Sequence, residues 1–61
     1  MNEVYRTRDV TIFGNAMVEV VEESFGGDET PIAWFSPRCR TLAVTMVRRL
    51  NAAATVEAID N

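Results

Sequence analysis

A chain of 61 residues with one cysteine and no histidine must fold without a disulfide bond and without a zinc site of four Cys or His ligands. A chain this short buries only about 60% of the surface that it exposes when unfolded, so its core alone is marginal. Small domains of this kind are usually stabilised by a staple or by a partner subunit. We therefore expect residues 1–61 to form one small domain that associates as a homodimer.

The first half of the chain is typical of a β-hairpin. Residues 4–13 are rich in Val, Thr, Tyr, Ile and Phe, and valines favour a second strand over residues 16–25. Gly14 and Asn15 lie between them, and both residue types tolerate the positive φ of a tight hairpin turn. Such a turn pairs Phe13 with Ala16 and Arg6 with Glu23. The predicted core face then carries Tyr5, Thr7, Phe13, Val18 and Val20, with Asp9 and Glu22 at its margins.

A third strand and one helix complete the predicted fold. Residues 31–35 are strongly apolar, and Pro31 suits the first position of an edge strand. Ser36 is a preferred N-cap and Pro37 a preferred first helical residue. Apolar residues then recur at helical spacing, at Cys39, Leu42, Ala43, Met46, Val47, Leu50, Ala53 and Ala54.

This stripe stops before Glu57, so the helix is predicted over residues 37–54. The fold class is therefore α+β: a three-stranded antiparallel sheet packed by one C-terminal helix, in the order βββα. Leu42, Met46 and Leu50 lie at the centre of the stripe and are the expected centre of the core.

The chain contains no histidine, the residue on which many catalytic sites depend. Without histidine, no Ser-His-Asp or Cys-His arrangement can form. Cys39 lies on the apolar stripe, and free cysteine is among the most buried residue types, so we interpret it as a packing residue. Gly26 and Gly27 lack the spacing and the lysine of a phosphate-binding loop. We predict a protein that is not an enzyme, uses no cofactor or metal, and acts by binding.

An acidic segment is the first candidate binding surface. Residues 19–29 contain five acidic residues and no basic residue. The acidic residues are Glu19, Glu22, Glu23, Asp28 and Glu29. Carboxylates on a surface can dock onto a basic partner, including a nucleic-acid-binding groove in which they replace phosphates. We expect Asp28 and Glu29 to contribute most, because a loop tip is least engaged within the fold.

Two other features favour different partners. Four helix arginines, Arg38, Arg40, Arg48 and Arg49, suggest a nucleic-acid-binding or transcription-modulating module. However, the net charge of −3 makes direct nucleic-acid binding the weaker alternative. Trp34 and Phe35 are neighbours in the third strand and must point to opposite faces. The helix can cover only one of these two rings, and the other is left to be covered by a second chain. Trp34 and Phe35 are therefore the predicted dimer interface.

The predicted location is the cytoplasm. No apolar run approaches the ~20 residues of a membrane span, and residues 1–6 lack the basic-then-apolar build of a signal peptide. A single thiol suits a reducing compartment. We expect no association with a membrane.

The stretch from Thr30 to Ala53, TPIAWFSPRCRTLAVTMVRRLNAA, resembles the C-terminal half of many small bacteriophage open reading frames. These run from a β-hairpin through a short apolar strand to a capped helix with a Leu-Asn-Ala type sequence. The resemblance implies a phage or prophage accessory protein of the anti-defence or host-inhibitor class, such as the anti-CRISPR proteins, which occlude a surface of their target. With the acidic segment, it predicts an inhibitor of a host defence or nucleic-acid-handling complex. A structural component of a virion is the remaining alternative.

Overall fold

A computed structural model describes the backbone of residues 4–60 and the side chains of residues 4–54. Its elements are β1 (Tyr5–Ile12), β2 (Asn15–Glu23), β3 (Glu29–Phe35), a 3-10 turn (Pro37–Cys39) and α1 (Arg40–Asp60). The strands form one antiparallel sheet in the order β1-β2-β3, with β2 in the centre. The predicted α+β class with the order βββα is confirmed.

The hairpin turn uses different residues from those predicted. Ile12 pairs with Asn15, so the two turn residues are Phe13 and Gly14, with φ of 49° and 79°. The predicted pairing of Phe13 with Ala16 and of Arg6 with Glu23 is therefore wrong by two residues. Arg6 instead lies opposite Val21, and Arg8 lies opposite Glu19. Because side chains alternate with a period of two, this shift leaves the two faces of the hairpin unchanged.

Phe13 is the one residue of the predicted core face that this shift removes from the core. Its side chain is 98% exposed. It is also the only non-glycine residue with positive φ in the part of the chain that the structure describes. A backbone held in such a sparsely populated region costs on the order of 1–3 kcal/mol.

The core lies between α1 and one face of the sheet. Its buried members are Val18, Val20, Ala43 and Val47, and Tyr5, Ala33, Phe35 and Met46 pack around them. The two acidic residues expected at the margins of this face are both bonded there. The Tyr5 hydroxyl donates to Glu22 Oε2 at 2.9 Å, and Arg40 Nη2 lies 2.5 Å from Asp9 Oδ1.

The helix differs from its prediction at its end and in its orientation. Ser36 caps the 3-10 turn and Pro37 begins it, as predicted, but α1 continues past Ala54 to Asp60. Leu42, expected at the centre of the core, is 60% exposed. Ala43 and Val47 are buried instead, and Met46 packs beside them. The helix is therefore rotated so that one edge of the apolar stripe, rather than its middle, faces the sheet.

The side chain of Asn51 explains this rotation. Its Oδ1 accepts hydrogen bonds from the backbone N–H groups of Val4 and Tyr5 at 3.1 and 2.9 Å, and its Nδ2 donates to the Tyr5 carbonyl at 3.0 Å. The carboxamide thereby pairs with the start of β1 as a neighbouring strand would. A polar residue two turns beyond Ala43 thus sets which helix face meets the sheet.

Replacing Val47 by alanine tests the position of the core. We expect a loss of about 2 kcal/mol in the free energy of unfolding, from two buried methyl groups and the cavity they leave. Leu42→Ala removes a larger side chain from an exposed position and is expected to change stability by less than about 0.5 kcal/mol. Urea denaturation gives the free energy of unfolding of both variants. A larger loss for Leu42→Ala than for Val47→Ala would contradict the observed core, in which Val47 rather than Leu42 faces the sheet.

Replacing Asn51 by alanine tests the contact between α1 and β1. Alanine is the better helix former, so local propensity alone predicts a stabilised protein. We expect instead a net loss of about 2 kcal/mol, because partly buried backbone groups of β1 lose their partner. Asn15→Ala is the matched control, since Asn15 makes only one long, exposed contact of 3.4 Å to the Phe13 carbonyl. Equal melting temperatures for the two variants would contradict this role of Asn51.

Candidate interaction surface

A buried carboxylate lies on the sheet face that points away from α1, here called the open face. Glu19 lies on the central strand and is 6% exposed. Arg8 Nε lies 2.6 Å from its Oε1, and Trp34 Nε1 donates to its Oε2 at 2.9 Å. One side chain from each strand therefore meets in a single row. A buried charge is tolerated when its oxygens are bonded in this way, so Glu19 is a structural residue.

Glu29 extends the same network and is not the unengaged residue that the sequence predicts. It belongs to β3, where it forms an ion pair with Arg6 and lies 3.3 Å from Arg8 Nη1. The prediction that Glu29 is least engaged within the fold is wrong, because two arginines of β1 reach across the open face to it.

The five acidic residues are thus divided among different surroundings. Glu19 and Glu29 are bonded on the open face, and Glu22 accepts from Tyr5 on the face that α1 covers. Glu23 is exposed, with an oxygen 4.0 Å from Arg6 Nε. Asp28 is exposed, and its carboxylate forms no ion pair or hydrogen bond within the described part of the chain. Only Glu23 and Asp28 present largely unengaged carboxylates.

Glu23 precedes, and Asp28 ends, a loop with an exposed aromatic ring, here called the Phe25 loop (residues 24–28). Three hydrogen bonds order it: Ser24 N to the Asp28 carbonyl at 2.7 Å, Gly27 N to the Ser24 carbonyl at 2.9 Å, and Asp28 N to Ser24 Oγ at 3.1 Å. Gly27 supplies the positive φ of 90° that the turn requires. Phe25 is fully exposed. A hydrogen-bonded backbone therefore presents an exposed phenyl ring, with an exposed acidic residue two positions before it and another three positions after it.

Sequence reasoning missed both exposed phenylalanines, Phe13 and Phe25, although a signal was present. Each directly precedes a glycine at a turn, where alternation cannot direct a side chain into the core. The two rings lie at opposite ends of the sheet, because the β1–β2 turn and the Phe25 loop leave β2 at its two ends.

The structure separates Trp34 from Phe35 as strand alternation requires. Phe35 packs against the core beneath α1, whereas Trp34 lies on the open face and is 49% exposed. Ile32 has no partner in β2, because Val20 pairs with Ala33 and Val21 with Pro31. This bulge and Pro31, which has no N–H to offer, disfavour the pairing of β3 with a further strand.

The arginines of the helical segment are also divided. Arg40 pairs with Asp9, whereas Arg38, Arg48 and Arg49 are exposed and form no ion pair within residues 4–54. Cys39 is partly buried. Among the described residues, no group of three or more Cys, Asp or Glu side chains could hold a metal ion. No helix in the described range is both long and apolar enough to cross a membrane.

Comparison with protein-family models, with curated proteins and with solved structures finds no match to this chain.

Glu19→Gln tests whether the open face depends on a buried charge. The amide keeps the shape of the side chain but cannot pair ionically with Arg8, so we expect a loss of about 1–3 kcal/mol in the free energy of unfolding. Glu23→Gln is the matched control on the same strand and the same face. Its ion pair is long and exposed, so its effect should be below about 0.5 kcal/mol. Equal effects in urea denaturation at low salt, where the ion pair is not screened, would show that Glu19 has no special role.

Proposed function

We propose that this chain is a non-catalytic interaction protein that inhibits a host protein by docking the Phe25 loop against it. The single observation that carries the proposal is the fully exposed ring of Phe25, in the loop that follows Glu23 and ends at Asp28, two exposed acidic residues. An exposed phenyl ring adds nothing to the core of its own chain. In protein interfaces, a few aromatic anchors that fill a pocket on the partner supply most of the binding energy.

The order of the loop supports the same proposal. Side chains and loops that must be immobilised on binding reduce affinity by their lost entropy. The three hydrogen bonds of the Phe25 loop hold its backbone in place before a partner is met. The ring is therefore presented by a preorganised turn rather than by a flexible segment.

The charges around the ring indicate the chemistry of the partner. Carboxylates at the rim of an interface steer encounter with a basic surface and exclude acidic ones. A suitable partner has an apolar recess bordered by lysines or arginines, as a protein that handles nucleic acid has where it contacts phosphates. The resemblance of residues 30–53 to small phage proteins adds the biological setting: a phage-encoded inhibitor of a host defence or nucleic-acid-handling complex in the host cytoplasm.

Two alternatives stay predictions. Arg38, Arg48 and Arg49 are exposed without an acidic partner in the described residues, and they are the residues with which a nucleic-acid-binding module would contact phosphates. Mobility-shift assays with DNA and RNA at low salt distinguish that function, because phosphate contacts make binding strongly salt-dependent. A virion component would instead co-purify with phage particles.

Capture of the partner tests the proposal first. A photo-crosslinking phenylalanine analogue placed at Phe25 should trap a bacterial protein from a lysate. The same analogue at Leu42, which is also exposed but lies on α1, is the control and should not trap that protein. Equal trapping from both positions, or none from Phe25, would contradict the proposed docking surface.

Affinity for the trapped protein then tests the residues. We expect Phe25→Ser to raise Kd at least about thirtyfold, the effect of losing an interface anchor. Asp28→Lys should weaken binding most at low salt, with a difference that shrinks as salt screens the charges. Circular dichroism should show both variants folded, because neither side chain contacts the core. Reversal of Glu19 or Glu29 is unsuitable here, since it would break the network on the open face.

A further inference from the structure

The second exposed ring, Phe13, lies where its residue type is unexpected. Phe13 and Gly14 form a two-residue hairpin turn in which both residues have positive φ. Asn, Asp or Gly usually occupies the first position of this kind of turn. Phe13 holds a φ of 49° there and is 98% exposed. A bulky residue that keeps a disfavoured backbone and buries nothing does not stabilise its own chain. Such an outlier points to a contact outside the chain.

A recess lies beside the same turn. It has a volume of about 350 Å³ and lies between the end of the hairpin and the start of the helical segment. Its walls include Thr11, Ala16, Met17 and Pro37, with the Asp9–Arg40 ion pair at one side. An apolar cavity of roughly 150 Å³ is enough to hold a benzene molecule. The recess therefore has room for a phenyl ring.

The ring and the recess are close together in the chain, yet the recess does not hold the ring of its own molecule. Thr11 and Ala16 flank the turn that carries Phe13, and they pair with each other across the hairpin. A protruding group beside a recess that can accept it makes a surface self-complementary. A two-fold axis next to the turn then places each ring in the recess of the other molecule, which forms a closed, isologous contact.

We infer that a second copy of this chain docks at this end of the hairpin, with Phe13 of each copy in the recess of the other. The composition of the core supports this occupant. The fully buried apolar side chains among the described residues are small, namely three valines and one alanine, whereas Phe13, Phe25, Trp34 and Leu42 are exposed. A domain of this size without a staple commonly gains stability from a partner subunit.

The expected size of the contact indicates a reversible dimer. Each buried phenyl ring removes roughly 150–250 Å² of its own surface, so two rings and their recesses bury roughly 600–1,000 Å². That total lies at or below the limit of about 1,000 Å² for a stable specific interface, so the dimer should be weak and its population should depend on protein concentration. This inference is independent of the proposed function. It leaves both Phe25 loops at the outer ends of the dimer, where they could engage two partner molecules.

Sedimentation velocity over a concentration series tests the inference. We expect the full chain to pass from monomer to dimer as concentration rises. Phe13→Asn installs the Asn-Gly pair that this turn favours, so the variant should fold at least as well as the parent. Its dimer Kd should rise by about a hundredfold, since two anchors are lost and each is worth at least about tenfold. Phe25→Asn is the matched control and should dimerise like the parent.

Mixing two variants tests the fit of ring and recess. Ala16 is exposed, so Ala16→Arg should leave the fold intact while it fills the recess with a charged side chain. Each variant alone has two damaged contacts per dimer, whereas a heterodimer of Phe13→Asn with Ala16→Arg has one intact and one damaged contact. We therefore expect the mixture to form more dimer than either variant at the same total concentration.

Four results would overturn the inference, three of them from the parent chain and the variants of the contact. These three are a parent chain that stays monomeric at every concentration, a Phe13→Asn variant that dimerises like the parent, and a mixture that forms no more dimer than its components. Loss of dimerisation in the Phe25→Asn control would also overturn it, because that result would place the contact at the other end of the sheet.

Discussion

The burial of Glu19 is the constraint on which the arrangement of the sheet depends. A carboxylate at the centre of a small sheet is costly to remove from water unless its oxygens are bonded. Arg8 from β1 occupies one oxygen, and Trp34 from β3 occupies the other. This row across three strands ties the register of both strand pairs to one charged group. It also explains how the half-exposed Trp34 is held on the open face by a bond within its own chain.

The row of Arg8, Glu19 and Trp34 lies across one face of the sheet, and α1 covers the other. On one side, the helix covers Val18 and Val20 of β2 and is held to β1 by Asn51. On the other side, the arginines of β1 span the open face to Glu19 and Glu29. Each end of the sheet carries an exposed phenylalanine that takes no part in these internal contacts. For this reason the proposed binding loop and the proposed dimer contact both lie at ends rather than on faces.

The sequence predicts the fold class well because two strong periodicities carry it, alternation in the strands and the stripe in the helix. Register was less accessible, since residue preferences favour a Gly14-Asn15 turn over the observed Phe13-Gly14 turn, and a shift of two residues leaves the hydrophobic pattern unchanged. The exposure of Leu42 could not be predicted from apolar spacing, because a polar residue, Asn51, sets the rotation of α1. The roles of Glu19 and Glu29 depend on arginines far away in the chain, which composition and local spacing do not reveal.

The bonds of Glu19 and Glu29 within the chain are what keep these carboxylates of the open face from a partner. Hydrogen exchange of the Trp34 indole N–H, followed by NMR on the monomeric Phe13→Asn variant, measures this claim without a partner or a second copy. Because the indole N–H of Trp34 donates a hydrogen bond to the Glu19 carboxylate, we expect its proton to exchange far more slowly than the indole N–H of an unfolded peptide. Exchange as fast as in the unfolded peptide would contradict it. The acidic residues of β2 and β3 would then be available to a partner, and the open face would replace the Phe25 loop as the candidate binding surface.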